Sequence, residues 1–464
     1  MADVTAATVA TSELFDSHFT GITTDSRGDL GGKLFVALRG ERFDGHDYAE
    51  KALAQGALAV LAERGKWVTS DSRVFWVDDT LRALGALAAF HRKRWNGRVV
   101  AVAGSAGKTT TRSAITRLLK QLLPSESVWS PPGNLNNRIG VPMVLLGLTA
   151  QHHIAVVEIG TNMAGEVAML TRIASPNVGV LTLIELEHTE GLIDLAGVEA
   201  EEGALFAELS PSGIAVGNLD DPRVERLLAG SHAIVKLGYG SGAADYAIVQ
   251  REVLNASHTH VTLRRPHGVE PLGFRAALPG RAGALAAACA VAVAESTVGR
   301  SLSTSEVEAA LGSAVGEAGR LCPIELKDGT LVIDDTYNSN PGSLISSLEC
   351  AEELAAQRKA RLLLVVGEMR ELGALAESEH DRLGERLGAS GAAYLLAIGG
   401  ESRRFVEPAR RRGMQADFVA SSEHAVEKVN QELRGGDVVL VKASRGVRAE
   451  LVVEGILQRI GRAT

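Results

Sequence analysis

The sequence predicts an α/β protein of three domains, and three observations support this. Its 464 residues are too many for one compact core, since a domain typically contains about 100 to 200 residues. Short apolar stretches alternate with helical or polar segments along most of the chain, which is typical of parallel sheets with crossover helices. Glycine is abundant, with 50 residues, and aromatic residues make up only 4%, which favours tight turns and aliphatic cores over a β-sandwich.

The composition indicates a globular protein from a reducing compartment. The net charge of −8 and the hydrophobic content of 45% exclude a disordered chain and argue against nucleic acid as a partner. The cysteines, Cys289, Cys322 and Cys350, form no C-x-x-C pair, so free thiols are expected. The longest uncharged alanine-rich stretch, 282–294, is shorter than the roughly 20 residues that span a bilayer, and the N-terminus lacks the pattern of a signal peptide. We therefore expect a cytoplasmic protein without a membrane span.

The first predicted domain covers residues 1–96. Apolar stretches between Leu34 and Val77 alternate with polar or helical segments, as in a small α/β unit. Apolar side chains then recur at helical spacing over residues 80–95, with Thr80 as the predicted N-cap. Asn96 and Gly97 end this helix.

The second predicted domain covers residues 97–316 and has the rhythm of a mostly parallel sheet. Strands are predicted at residues 98–103, 154–157, 178–184 and 214–216. Alternating polarity between Tyr246 and Arg265 then predicts a few antiparallel strands. An alanine-rich helix begins near Gly280, and Ser303 with Glu306 has the spacing of a capping box.

The third predicted domain covers residues 317–464, after a boundary near Gly316. Strands are predicted at residues 331–333, 362–366, 395–398 and 438–441. Helical stretches separate them, which indicates a Rossmann-like α/β domain.

Residues 104–111, GSAGKTTT, lie between a predicted strand and a predicted helix and have the composition of a phosphate-binding loop. Backbone amides of such a loop cradle phosphate, Lys108 neutralises phosphate oxygens, and the hydroxyl of Thr109 is placed to bind Mg²⁺. Val102 occupies the position of the first glycine in the full motif, so an ordinary glycine-rich turn is the alternative. The predicted nucleotide contacts here are Gly104, Ser105, Ala106, Gly107, Lys108, Thr109 and Thr110.

Two further polar residues follow strands of the same predicted sheet. Glu158 ends the strand IAVVE, where a carboxylate beside the phosphate loop is suited to bind Mg²⁺. His188 follows the strand VGVLTLI and is a candidate metal or phosphate ligand. For a lone histidine, a surface or packing role is the alternative.

Several motifs in a fixed order carry a family resemblance. They are TDSR (24–27), GKLFVA (32–37) and RFDGH (42–46); GSAGKTTT (104–111), GNLNNRIGVP (133–142) and VEIG (157–160); and DDTYNSNP (334–341), GEM (367–369), ELG (371–373) and KASRG (442–446). Together they resemble the Mur ligase family, ATP-dependent enzymes that form amide bonds in peptidoglycan precursor synthesis. The match runs nearly end to end.

The resemblance implies a UDP-sugar-binding first domain, a central P-loop ATPase-like domain and a third domain that binds the amino substrate. It implies ATP and Mg²⁺ as cofactors, with catalytic roles for Lys108, Glu158, His188 and Arg320. The branch with similar motifs joins D-alanyl-D-alanine to UDP-N-acetylmuramoyl-tripeptide through an acyl phosphate. Those two molecules are therefore the implied partners, and a monomer is expected.

The remaining implied contacts follow the same motifs. The nucleotide contacts are Asn136, Asn137, Arg320 and Asp335, and the metal ligands are Thr109, Glu158 and His188. The substrate contacts are Ser26, Arg27, Asp44, Gly45 and His46 in the first domain and Asn338, Asn340, Ser444 and Arg445 in the third. A turn-forming role is the alternative for the two asparagines of the third domain.

The chain departs from the family pattern at three places. A segment resembling V-A-K-A-K-G-E-I-F, whose second lysine is carbamylated in the family, reads VEAEEGALF here and places Glu202 at that lysine. We hypothesise that Glu202 replaces the carbamate as a metal ligand; a solvated helix face is the alternative. The asparagine of the family's T-N-x-x-x-x-H-L-E segment is absent after Thr182, and its H-N pair, associated with adenine, falls at Ala282 and Gly283.

Three functions fit this pattern. The first is the ATP-dependent ligase implied by the resemblance. The second is a non-catalytic nucleotide or UDP-sugar binding protein that kept the fold, since the departures cluster on the nucleotide and metal side. The third is a related ligase with another amino substrate.

Overall fold

Three separate sheets organise the chain, within residues 8–77, 98–276 and 322–442. The computed structural model describes residues 2–5, 7–9, 18–40, 43–131, 133–266, 268–313 and 317–463. Each sheet is mostly parallel and is covered by helices, which confirms the predicted α/β class. The predicted second boundary, at Gly316, lies outside the described residues.

The first sheet has five strands in the order β1-β5-β4-β3-β2. Its elements are α1 (Ala2–Thr5), β1 (Thr8–Val9), β2 (Ile22–Thr23), β3 (Leu34–Val36), α2 (Ala49–Ala54), β4 (Ala59–Glu63), β5 (Val74–Val77) and α3 (Thr80–Arg94). All its strand pairs are parallel except β1 with β5. The predicted N-cap of α3 was wrong by one residue: the Asp79 carboxylate accepts a hydrogen bond from the Arg82 amide, whereas the Thr80 hydroxyl donates to the Ala37 carbonyl.

The central sheet has nine strands in the order β14-β13-β12-β11-β10-β9-β6-β8-β7. Its strands are β6 (Arg98–Ala103), β7 (Val128–Trp129), β8 (Ile154–Glu158), β9 (Val178–Leu181), β10 (Ile214–Asn218), β11 (Val235–Gly240), β12 (Tyr246–Val253), β13 (Thr259–Arg264) and β14 (Leu272–Ala276). Its helices are α4 (Lys108–Leu122), α5 (Gly140–Leu146), α6 (Glu166–Ala174), α7 (Thr189–Leu192), α8 (Leu195–Ala207), α9 (Pro222–Gly230), α10 (Gly280–Val298) and α11 (Thr304–Leu311). The pairs β12–β13 and β13–β14 are antiparallel.

Two sequence predictions for this sheet meet different outcomes. Strand β9 was predicted to reach Ile184, but it ends at Leu181 because the next residues bind the phosphate loop instead of a neighbouring strand. The Thr182 hydroxyl donates to the Ala106 carbonyl at 2.7 Å, and the Leu183 carbonyl accepts from the Ser105 amide at 2.6 Å. The predicted capping box is confirmed at the start of α11.

Helix α10 is the one helix in the described part of the chain that is long and apolar enough to cross a bilayer. Its apolar window has a mean hydropathy of 1.3, and 67% of that window is buried inside the protein. It packs on α4 and on strands of the central sheet. These contacts are those of a core helix.

The third sheet has six strands in the order β15-β16-β20-β17-β18-β19. Its elements are β15 (Cys322–Glu325), β16 (Leu331–Asp335), α12 (Pro341–Arg358), β17 (Leu362–Gly367), α13 (Ala376–Gly388), β18 (Tyr394–Ile398), α14 (Val406–Arg411), β19 (Gln415–Val419), α15 (Ser422–Glu432), β20 (Val438–Lys442) and α16 (Glu450–Ile460). Short 3-10 helices lie at Gly45–Tyr48, Ser125–Ser127, Gly373–Leu375, Gly400–Phe405 and Arg445–Val447. Strand β15 is antiparallel to β16, and all other pairs are parallel.

Candidate active site

We call the three α/β units built on the first, central and third sheets the first, central and third layers. A cavity of about 910 Å³ lies between the carboxyl ends of the central strands and the third layer. The loop after β6 and the segments after β8 and β9 form one wall. The loop between β16 and α12 forms the opposite wall. The carboxyl edge of a parallel sheet is where ligands bind in such folds, because the strand ends and helix N-termini meet there.

The phosphate loop holds a conformation that requires glycine. Gly104 has φ +122°, and a Cβ there would lie 2.3 Å from the Thr182 hydroxyl oxygen. Gly107 caps α4 with φ +81°, so the helix begins at Lys108 with its free amides directed at the cavity. The sequence prediction of a strand, a glycine-rich loop and a helix in this order is confirmed.

The ammonium of Lys108 is held among carboxylates. Its Nζ donates to the Gly104 carbonyl and lies 3.5 Å from the Glu187 carboxylate. Burial alone would lower the pKa of Lys108, but Glu187, Glu202 and Glu158 raise it above its ordinary value. The lysine is therefore charged at neutral pH and available to an anionic ligand.

Thr109 and Glu158 form an oxygen pair suited to magnesium. The Thr109 hydroxyl donates to Glu158 Oε2 at 2.8 Å, and the Asn136 amide donates to Glu158 Oε1 at 2.9 Å. All three line the cavity, and a hydroxyl beside a carboxylate matches the hard oxygen ligands of Mg²⁺, which keeps several waters in such sites. Among the described residues, no group of three or more histidine, cysteine, aspartate or glutamate side chains is arranged to hold a metal.

Arg112 reaches the same carboxylate from the next turn of α4. Its Nε lies 3.8 Å from Glu158 Oε2, its guanidinium pairs with Glu317 before the third sheet, and it donates to the Pro131 carbonyl at 2.9 Å. Arg112 is buried, and the sequence analysis did not find it. Its helical spacing from Thr109 was the available signal, since residues i and i+3 share a helix face.

Glu202 is fully buried behind the phosphate loop. Its Oε2 accepts a hydrogen bond from the Gly104 amide at 2.7 Å, and its Oε1 has no partner. Burial raises its pKa to about 8, with Glu187 adding to the rise and Lys108 opposing it. The alternative of a solvated helix face is wrong for Glu202. Glu199 on the same helix does pair with the partly exposed Arg226.

His188 joins the central and third layers. Its Nδ1 pairs with the Glu371 carboxylate, and its Nε2 lies 3.9 Å from Glu187. Burial lowers its pKa, but both carboxylates raise it more, and the net shift is upward. Next to it, the Thr189 hydroxyl donates to the Leu372 carbonyl at 2.8 Å. Glu371 lies in the ELG motif but was not singled out there, and Glu187 was not predicted as a site residue.

Third-layer residues reach the phosphate loop directly. The Asn340 amide donates to the Ser105 carbonyl at 3.2 Å and lies 3.5 Å from Glu187. Asn340 also caps α12, so the predicted site role and its turn-forming alternative are both compatible with its placement. The side chain of Asn137 accepts from the amides of Ile139 and Gly140 at the start of α5.

Asp335 is held by a buried lysine. Lys442 Nζ donates to Asp335 Oδ2 at 2.6 Å and to the Asn338 carbonyl at 2.9 Å, while Asp335 Oδ1 accepts from the Leu321 amide at 3.0 Å. Lys442 is 2% exposed and was not predicted as a site residue. The Ser444 hydroxyl is likewise engaged, since it accepts from the Arg370 amide at 2.9 Å.

The predicted contacts of the first layer lie outside this cavity. Arg27 is highly exposed and pairs with its neighbour Asp25. His46 is buried: its Nδ1 lies 2.5 Å from the Asp44 carboxylate, and its Nε2 accepts from the Glu63 amide at 2.9 Å. Both ring nitrogens of His46 are thus engaged within the protein, by Asp44 and by β4, while Arg27 faces solvent.

The cavity brings together most of the predicted nucleotide and catalytic residues. Those lining it are Ser105, Ala106, Gly107, Lys108, Thr109, Thr110, Asn136, Asn137, Glu158, His188, Arg320, Asp335, Asn338 and Asn340. Those outside its lining are Ser26, Arg27, Asp44, Gly45, His46, Gly104, Glu202, Ser444 and Arg445. Ala282 and Gly283 also line it and present no polar side chain at these two positions, whereas the adjacent Arg281 lines it as well and pairs with Asp220.

Fold and site define a P-loop nucleotide-binding protein with a third α/β layer against its phosphate loop. Residues 18–92 match the "Mur ligase family, catalytic domain", residues 102–294 the "Mur ligase middle domain", and residues 319–445 the "Mur ligase, glutamate ligase domain". The chain belongs to the Mur ligase family, which confirms the resemblance.

Relatives and solved structures agree with that membership. The chain is 35% identical to a UDP-N-acetylmuramoyl-tripeptide–D-alanyl-D-alanine ligase from Escherichia coli K12, over 95% of this chain and 94% of the other, and 30% identical to one from Bacillus subtilis, over 99% and 97%. A MurF crystal structure from Acinetobacter baumannii superposes with a TM-score of 0.86 at 26% identity, covering 98% of this chain and 97% of the other. MurF from Thermotoga maritima, in complex with ADP, superposes with a TM-score of 0.81 at 28% identity, covering 97% and 99%.

Proposed function

We propose that this chain is an ATP-dependent ligase that joins D-alanyl-D-alanine to UDP-N-acetylmuramoyl-tripeptide in peptidoglycan precursor synthesis. The observation that carries the proposal is the Asn340 contact with Ser105, which brings the third layer against a phosphate loop containing Lys108 and the Thr109–Glu158 pair. Acyl and amino substrates held in one cavity with a nucleotide are what amide formation requires. The names of the full-length relatives supply the identity of both substrates.

The reaction divides into two steps. The terminal carboxylate of the tripeptide attacks the γ-phosphoryl group of ATP, which forms an acyl phosphate and releases ADP. The dipeptide amine then attacks the acyl carbon, which forms the amide and releases inorganic phosphate. Lys108 and Arg320 offset the repulsion between the two anions of the first step, and the amides of residues 106–109 hold the phosphates.

The remaining predicted roles follow from this scheme. Thr109 and Glu158 would hold Mg²⁺, which neutralises phosphate charge when bound. Asn136 orients Glu158 through its hydrogen bond. We propose nucleotide contacts for Asn137 and Asp335, and amino-substrate contacts for Asn338, Asn340, Ser444 and Arg445. The first-layer segment with Ser26, Arg27, Asp44 and Gly45 would hold the UDP moiety.

Contact between the layers would keep water from the acyl phosphate, which water would otherwise hydrolyse. His188 pairs with Glu371, and Thr189 donates to the Leu372 carbonyl, so two side chains of α7 and its cap secure this contact. We assign His188 to this contact and to the phosphate side of the cavity. We further propose that the enzyme acts in the cytoplasm as a monomer.

Phosphate release under defined substrates tests the proposal. We expect release with MgATP only when both UDP-N-acetylmuramoyl-tripeptide and D-alanyl-D-alanine are present. No substrate-stimulated release, together with intact ligand binding, would identify a non-catalytic binding protein. Release with a different amino acid or dipeptide from a panel would identify a related ligase with another amino substrate.

A further inference from the structure

The aromatic ring of Tyr337 contacts two arginines from different segments of the third layer. The guanidinium carbon of Arg320 lies 3.9 Å from the ring centroid of Tyr337, and that of Arg445 lies 5.3 Å from the same centroid. Arg320 precedes β15, and Arg445 follows β20. Both distances are within the range at which a guanidinium is attracted to an aromatic face.

The backbone fixes this arrangement. The Tyr337 amide donates to the Gly319 carbonyl at 2.9 Å, and the Leu321 amide donates to Asp335 at 3.0 Å. Gly319 has φ +73°, and a Cβ there would lie 3.2 Å from the Tyr337 amide nitrogen. Arg320 is therefore held against the loop after β16 on both sides.

Neither guanidinium is neutralised by a carboxylate among the residues that the structure describes, and the Nε of Arg320 is buried without a hydrogen-bond partner. Arg320 and Tyr337 line the cavity that contains the phosphate loop. Two guanidinium groups that both lie within 6 Å of one ring centroid repel each other, and the π system that attracts both offsets part of that repulsion.

We propose that Tyr337 is a positioning residue that holds Arg320 and Arg445 ready for two anionic ligands. Arg320 faces the terminal phosphate of the nucleotide, and Arg445 faces the carboxylate of the amino substrate. The ligand assigned to Arg445 rests on the proposed function, which identifies the amino substrate. The ring acts through the two arginines and contacts neither reacting group.

Nucleotide binding tests the first half without turnover. By calorimetry with Mg²⁺ and a non-hydrolysable ATP analogue, we expect Tyr337→Leu to weaken affinity about 10-fold, and Tyr337→Phe to restore it to within about 2-fold, because the ring and not the hydroxyl attracts the cation. ADP affinity should change less than about 3-fold, because ADP lacks the phosphate that Arg320 faces. Arg411→Met, which removes an exposed arginine paired with Glu385, is the charge control.

A double-mutant cycle separates positioning from folding. If Tyr337 acts through Arg320, Tyr337→Leu should add nothing to the loss caused by Arg320→Met. Additive losses, or an equal loss in Tyr337→Phe, would overturn the proposal. A trifluorinated phenylalanine at position 337 keeps the ring shape and weakens its π face, so an affinity equal to that of Tyr337→Phe would also overturn it.

The dipeptide readout tests the second half. In phosphate release, we expect Tyr337→Leu to raise KM for D-alanyl-D-alanine about 5- to 10-fold and to be non-additive with Arg445→Met. An unchanged KM would overturn the assignment of Arg445. Absence of release by the wild-type chain would reject the proposed ligase function, and the nucleotide measurements would still decide the role of Tyr337 toward Arg320.

Discussion

The Glu202 carboxylate accepts a hydrogen bond from the Gly104 amide at 2.7 Å, directly behind the phosphate loop. Its other oxygen is buried without a partner, and the nearby charges of Lys108 and Glu187 shift its pKa in opposite directions. Within the family resemblance this position belongs to a carbamylated lysine, which is also an anion. The structure thus places a carboxyl group there on a shorter side chain, and its raised pKa means that a cation bound beside it is needed to favour the anion at neutral pH.

Replacing Glu202 should impair turnover. We expect Glu202→Ala to lower kcat about 10- to 100-fold, because the Gly104 amide loses its acceptor and the site loses a carboxyl group that a bound metal ion would draw into its anionic form. Glu202→Gln keeps an acceptor for Gly104 but cannot ionise, so it should also lower kcat and weaken the apparent Mg²⁺ affinity. Steady-state kinetics across a Mg²⁺ titration measures both effects.

A neighbour on the same helix provides the control. Glu199 pairs with Arg226 near the surface, so Glu199→Gln should leave kcat within about 2-fold. Near-wild-type turnover in both Glu202 variants would contradict the hypothesis that Glu202 substitutes for the carbamate.

Lys108 should be indispensable for phosphoryl transfer. Lys108→Met removes the charge that the phosphate loop presents, so we expect kcat to fall at least about 100-fold while the fold is retained. Lys120, exposed on the same helix, is the matched control, and Lys120→Met should be neutral. A Lys108→Met enzyme that keeps a tenth of the wild-type rate would contradict the assigned role.

The pair of His188 and Glu371 should govern contact between the layers. We expect Glu371→Gln to lower kcat/KM for the dipeptide about 5-fold and to leave the nucleotide Kd within about 2-fold, because the phosphate loop itself is unchanged. Small-angle scattering with both ligands should show a less compact complex than that of the wild type. Glu377→Gln, which affects a pair with Arg404 inside the third layer, should change neither quantity. An equal loss in both variants would argue against a specific role for the contact.

His380 should make the stability of the protein depend on pH. Its Nδ1 contacts the Ala376 carbonyl at 2.6 Å, and its Nε2 accepts from the Met369 amide at 3.1 Å. Protonation of Nε2 would break the hydrogen bond from Met369, so the neutral ring is favoured. Burial lowers its pKa below the ordinary value of 6.5. The unfolded chain therefore binds a proton that the folded chain does not, and the contribution of His380, full above pH 6.5, is lost as pH falls through the folded pKa.

Chemical denaturation between pH 7.5 and 5 measures this effect. The wild type should be more stable than His380→Gln at pH 7.5, and the difference should shrink by up to about 1.4 kcal/mol per pH unit below 6.5. His424→Gln, at an exposed histidine, should give a difference that does not vary with pH. A constant difference for His380→Gln would contradict the neutral, buried assignment.

The fold was predictable wherever local pattern and tertiary structure agree. The predicted strands that begin at Arg98, Leu331 and Val438 are present. They are interior strands of their sheets, and their apolar residues are buried on both faces. Strands β15 and β19 were missed because each lies at a sheet edge: CPIE contains a proline, and QADFV is polar at two of its five positions. Edge strands carry a weaker hydrophobic pattern, since one side faces solvent.

The site was predictable where one motif contains both the loop and its function. Lys108 and Thr109 follow from their spacing, because the loop and the helix N-terminus are contiguous in sequence. Glu187 contacts Asn340, Arg112 pairs with Glu317, and the Tyr337 ring contacts Arg445. The partners in each pair are distant along the chain, so no local sequence pattern predicts these contacts. His46 shows a third case, since this motif residue is engaged both by Asp44 in its own loop and by the Glu63 amide in β4, and the sequence shows only the first contact.

Isotope transfer from the acyl substrate to phosphate tests directly whether the enzyme forms an amide bond through an acyl phosphate. UDP-N-acetylmuramoyl-tripeptide labelled with ¹⁸O in its terminal carboxylate is incubated with MgATP and D-alanyl-D-alanine, and phosphate and nucleotide product are analysed by mass spectrometry. We predict one ¹⁸O atom in each released phosphate and one amide-linked dipeptide in each product, because the carboxylate oxygen bridges to phosphorus in the acyl phosphate. Unlabelled phosphate, or a tripeptide nucleotide recovered without the added dipeptide, would contradict the assignment as an amide-forming ligase.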